Sequence, residues 1–167
     1  MRRATLRLYH CTYAKNLSAI ARRGLIPGLS GGLLRAVQGN NLRGVFLTAW
    51  EGVRFWMGRL EAWAEHDYDY PADEGLVPVV LRVETACPVV PDALGTRDAA
   101  AAAVVCPRPI APGALRVWDG GAWIAARAAA ARGEDYWLAL GSEVDGDGDS
   151  SWRVLLGTRS ALLPMDP

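Results

Sequence analysis

The segment from Ala4 to Pro27 constrains the fold more than any other part of this chain. Leu6 and Leu8 alternate with Arg7 and Tyr9, the period of a half-buried strand, and the strand runs out through His10, Cys11 and Thr12. Leu17, Ile20 and Ala21 then recur at helical spacing, with Lys15, Arg22 and Arg23 facing outward. Gly24 supplies a stop, and Pro27 just beyond it cannot continue a helix. A strand followed so closely by a helix needs a sheet to join and a core to cover. The unit also sets a histidine and a hydroxyl at a strand exit. His66, the other histidine, falls in an acidic, surface-like stretch.

The 167 residues suffice for one domain with a full core, and 51% apolar with 22% charged is an ordinary soluble balance. No apolar run approaches the roughly eighteen residues of a membrane span. The basic N-terminus lacks the apolar stretch of a signal peptide. Cys11, Cys87 and Cys106 have no metal-ligand spacing, so reduced thiols, a cytoplasmic location and no metal are expected. Cys11 reads foremost as a small packed thiol. Net charge is zero but unevenly spread: residues 1–60 hold ten basic side chains against Glu51 alone, and the remainder is correspondingly acidic. Such a basic half can attract phosphate, although the two halves can equally neutralise each other on folding.

Pro27 to Asn41, with its glycines, reads as a loop, Val45–Thr48 as a short strand, and about Glu51 to Ala64 as a helix burying Val53, Trp56, Met57 and Leu60. Val77–Val83 is strongly strand-like and is ended by Pro88 and Pro91. Strands are expected around Val104–Cys106 and at Leu115–Trp118, a helix over Trp123–Ala131, and two strands at Tyr136–Leu140 and Ser151–Leu156. The Asp-Gly alternation at Asp145–Asp149 would need a glutamate where Leu156 stands to be a calcium loop, so it reads as a hairpin tip.

In this order the pieces resemble the ADP-ribosyltransferase superfamily, and within it the catalytic lobe of RNA 2′-phosphotransferases. The resemblance rests on Tyr9-His10-Cys11-Thr12, Gly24-Leu25-Ile26-Pro27, Val45-Phe46-Leu47-Thr48, Gly58-Arg59, Pro78-Val79-Val80-Leu81-Arg82-Val83 and the Pro109–Leu115 turn. It covers about residues 5–118. It implies an α+β fold, a split antiparallel β-sandwich with flanking helices over residues 1–118, with residues 119–167 as a C-terminal extension. It also implies NAD as cofactor. His10 would bond a ribose hydroxyl, Thr12 would lie beside the nicotinamide or the adjoining phosphate, and Cys11 between them would belong to the same cofactor-binding set. Phe46 would stack on nicotinamide, Thr48 would follow it, and Arg43 and Arg59 would meet phosphate.

General chemistry fits these roles. Arginine forks onto a pyrophosphate, and a flat cationic ring stacks on an aromatic face. Cleaving the nicotinamide bond passes through an oxocarbenium-like state that a carboxylate stabilises. The usual glutamate position falls on Ala99–Ala103, which offers none, leaving Glu84, Glu51 and Glu143 as substitutes. His10, Arg59 and Glu84 are the candidate catalytic residues. Three functions follow: transfer of ADP-ribose to a nucleic-acid or protein acceptor, or action on an RNA 2′-phosphate; a degenerate domain that only binds a nucleotide or a partner; or a partner interface built on the tryptophan-rich, acidic residues 119–167.

Overall fold

The computed structural model describes residues 7–28, 44–66, 77–91 and 103–142. It is an α+β fold in which seven strands among the described residues form an antiparallel sheet with helices on both faces. The strands are β1 (Leu8–Tyr13), β2 (Val45–Thr48), β3 (Pro78–Val83), β4 (Val90–Pro91), β5 (Ala103–Cys106), β6 (Leu115–Trp118) and β7 (Trp123–Ala125). The helices are α1 (Leu17–Arg23), α2 (Trp50–His66), α3 (Ala126–Ala131) and α4 (Glu134–Ser142). Strand order across the sheet is β4-β5-β2-β1-β3-β6-β7.

Register follows from the alternation in β1. Leu8, His10 and Thr12 pair with Val83, Leu81 and Val79, while Tyr9 and Cys11 pair with Arg82 and Val80. Successive side chains leave opposite faces of a strand, so these two sets are divided by the sheet. On one face Leu8, Leu81, Val117, Val45 and Leu47 meet Leu17 and Ile20 of α1, Ala126 and Ala129 of α3, and Trp137 of α4 in the larger core. On the other, Tyr9, Val80 and Trp118 pack under Val53 and Met57 of α2. These apolar positions recur at three- and four-residue spacing in α2, which is why the helix lies flat on the sheet.

The entry to α1 is fixed locally. A single 3-10 turn at Ala14–Asn16 precedes it, and the Ala14 N–H donates to the Val77 carbonyl at 2.8 Å. Gly24 ends the helix at φ 74° and ψ −163°, a region essentially confined to glycine. A Cβ there would sit 1.9 Å from the Ile110 carbonyl oxygen. That close approach lets Leu25 and Ile110 exchange backbone hydrogen bonds of 3.0 and 2.9 Å.

Two expectations for the C-terminal half differ from what is found. Trp123–Ala125 is a strand hairpinned onto β6 before the helix begins at Ala126. Tyr136–Leu140 lies within α4, where Trp137 is buried and donates its indole N–H to the Ala129 carbonyl at 3.2 Å. A five-residue apolar run cannot by itself separate strand from buried helix. Pro91, read as a strand stop, lies in β4, which is tolerable because β4 is an edge strand. The loop beyond Gly28 and the segments around Asp145–Asp149 and Ser151–Leu156 fall outside the described residues.

Candidate functional site at the divided sheet

The sheet is weakest at its middle. Among the described residues β1 shares six residue pairs with β3, yet β1 and β2 share only Tyr9 with Thr48. On one side of this division stand β2, β5 and β4; on the other stand β1, β3, β6 and β7. Just past the single shared pair, His10 ties the halves together. Its Nδ1 lies 2.9 Å from the Phe46 carbonyl oxygen. A carbonyl only accepts, so Nδ1 carries the proton and donates. Nε2 is therefore left with its lone pair, and among the described residues it has no hydrogen-bond partner. His10 is 6% exposed, and burial pushes its pKa below the usual 6.5, outweighing the upward pull of the Phe46 bond. Above that value the ring is neutral, with one fixed donor and one fixed acceptor.

Thr12 lies on the same face as His10, toward α1, and its Oγ1 accepts from Asn16 Nδ2 at 2.9 Å. That bond holds the 3-10 turn to the strand end. Cys11, Phe46 and Thr48 belong to the opposite face, toward α2. Cys11 packs against the cluster formed by Tyr9, Val53, Met57, Val80 and Trp118, and burial pushes its thiol up to about 12, so it is no thiolate at neutral pH. Thr48 is buried opposite Tyr9, and Phe46 is half-buried opposite Val105.

The expected basic and acidic members stand apart from His10. Arg59 is exposed on α2, its guanidinium 5.5 Å from the Phe55 ring centroid. Glu84 follows β3 three residues beyond Leu81, the partner of His10, or about 10 Å along the strand direction. Its carboxylate is engaged by Arg82 and, at 3.4 Å, by Arg116 Nε. Arg43 lies outside the described residues. Glu51 is exposed in the first turn of α2. β5, which lies beside β2 with position 103 opposite Thr48, reads Ala-Val-Val-Cys and carries no carboxylate.

Sequence reasoning did not single out the aromatic cluster that flanks the division on the α2 face. Tyr9 lies 5.0 Å from Trp50 and 5.9 Å from Trp123 between ring centroids, and Trp118 lies 5.3 Å from Trp123. The Arg82 guanidinium sits 4.9 Å from the Trp123 centroid. The signal was available in the parity of Tyr9, which shares its face with Cys11 and not with His10. Among the described residues no group of three metal-ligating side chains converges, and no helix is long and apolar enough to cross a membrane. Comparison with protein-family models, curated proteins and solved structures returns no match.

Proposed function

We propose that this chain is an NAD-linked protein of the ADP-ribosyltransferase type, holding the dinucleotide where the sheet divides beside His10. The observation that carries this reading is the division itself: an antiparallel sheet whose centre is joined, among the described residues, by one residue pair and spanned by a buried imidazole. A neutral ring whose Nδ1–H is fixed on Phe46 presents Nε2 as an acceptor, the group needed to bind a ribose hydroxyl. Thr12, on the same face and within one strand alternation, adds a hydroxyl already oriented by Asn16. NAD supplies an activated glycosidic bond with nicotinamide as leaving group; the chain's own residues bind and orient it. The basic first sixty residues favour approach of a phosphate-bearing ligand or a nucleic-acid acceptor.

A second reading, a nucleotide-binding domain without transfer, is favoured by the absence of a carboxylate from β5 and by the engagement of Glu84 with two arginines. One experiment separates them. Saturable NAD binding with nicotinamide release, both lost in His10→Ala, supports transfer. Binding without release supports the second reading. Absence of NAD binding by the folded protein refutes both.

A further inference from the structure

The face of the sheet opposite His10 carries a transverse row of residues that the NAD site does not use. Tyr9 on β1 stands opposite Arg82 on β3, Arg82 opposite Arg116 on β6, and Arg116 opposite Ala125 on β7. With neighbouring strands about 4.8 Å apart, the row crosses about 14 Å of sheet. One alternation further along β6 and β7, Trp118 stands opposite Trp123. α2 lies over β1 and β3, and its first residue, Trp50, meets Tyr9. Toward β6 and β7 the face opens to solvent: Trp123 and both arginines are half-buried, and Ala125 is exposed.

Two features of this row point to an anion. Like charges directly opposite each other destabilise a sheet. Here Arg82 and Arg116 are opposed and share one carboxylate, Glu84, which leaves one net positive charge among the three. Both guanidinium groups are nevertheless held in place. Arg82 lies 4.9 Å from the Trp123 ring centroid, and Arg116 Nη1 donates to the Gly113 and Leu115 carbonyls, each at 3.1 Å. Nε and Nη1 of Arg82 and Nη2 of Arg116 have no hydrogen-bond partner among the described residues, so donors remain for a second anion.

We propose that this face binds single-stranded nucleic acid, with phosphates on Arg82 and Arg116 and bases against Trp123 and the Arg82 guanidinium. Nucleobases stack on aromatic rings and on guanidinium planes, and an open sheet face is a flat platform for them. The interleaving of arginine with tryptophan separates this partner from an acidic protein segment, which would engage the arginines without the rings. A duplex keeps its base faces stacked inside, out of reach of Trp123.

The test is fluorescence anisotropy of a short fluorescein-labelled single-stranded RNA titrated with the full chain over a range of KCl. The same sequence is then tried as DNA and as a duplex. Saturable binding of both single strands that weakens with salt is expected, with the duplex bound more weakly. Arg82→Gln and Arg116→Gln should each weaken binding at least about threefold and each reduce the log–log salt slope by about 0.7. Trp123→Leu, which keeps an apolar side chain, should weaken binding by about five- to 100-fold with the salt slope unchanged. Glu84→Gln removes the carboxylate that competes for both arginines and should tighten binding. Arg116→Gln and Glu84→Gln alter partly exposed groups, so they decide the matter should Trp123→Leu not fold. Failure of the folded chain to bind either single strand overturns the proposal, as does binding that none of these variants changes. Displacement of the RNA by polyglutamate, with Trp123→Leu binding as wild type does, also overturns it and marks an acidic protein partner instead. None of these outcomes depends on NAD.

Discussion

Lowering the pH should destabilise this protein through His10 before its carboxylates begin to titrate. The folded state holds the imidazole with a pKa below 6.5, because burial disfavours the charged ring. The unfolded chain takes up a proton near 6.5. Between the two values the unfolded state binds more protons, so stability falls as pH falls. The contribution is fully present above about pH 7.5. It then declines with a limiting slope of about 1.4 kcal/mol per pH unit until the folded pKa is reached. His10→Asn isolates this effect, because an amide N–H can donate to the Phe46 carbonyl in place of Nδ1–H and does not titrate. Urea unfolding of both proteins at pH 7.5, 6.5 and 5.5 gives the comparison. The difference between wild type and variant should close as pH falls from 7.5 to 5.5, at no more than about 1.4 kcal/mol per pH unit. Since His66 is present in both, it cancels. Parallel stability curves would show that the ring is not held neutral in the fold, and the assignment of Nε2 as a free acceptor would fall with it.

Other outcomes follow from the same geometry. Gly24→Ala should lower stability by at least about 2 kcal/mol, because it combines a glycine-only backbone conformation with a Cβ directed into the Ile110 carbonyl; denaturant unfolding measures it. His10→Ala should cost about 1–3 kcal/mol through the orphaned Phe46 carbonyl alone, and His10→Asn should recover part of that loss. Cys11 should resist iodoacetamide at pH 8 in the native protein and react on unfolding, as its thiol pKa of about 12 and its packing beneath α2 require; mass spectrometry of time points decides. Glu84→Gln should change stability by under about 1 kcal/mol and leave any nicotinamide release intact, since its carboxylate serves Arg82 and Arg116 at the surface.

The strands with clear alternation or β-branched runs were legible in the sequence, and so was the helix at Trp50–His66, because each carries its own period. Gly24 announced the end of α1, although the stronger demand on it, the close approach of Ile110, comes from residues more than eighty positions away. Tyr136–Leu140 was ambiguous because burial of Trp137 is decided by α3, a neighbour that local sequence does not reveal. The site was legible in part. His10 and the Val45–Thr48 strand do meet, and they do so through a backbone carbonyl rather than through facing side chains. A motif quoted as consecutive letters conceals the sheet's alternation. Cys11 therefore stands on the other face from His10 and Thr12, and Phe46 and Thr48 stand with it. Glu84 looked available because nothing in the sequence shows that Arg116, across β6, claims its carboxylate together with Arg82.

If a dinucleotide is held at the divided sheet beside His10, a crystal of the protein soaked with NAD will show it there. Density should lie along the β1–β2 boundary, with a ribose hydroxyl within about 3 Å of His10 Nε2 and the Nδ1 bond to Phe46 retained. Density for NAD elsewhere on the molecule, or a ribose that leaves Nε2 untouched, would contradict it.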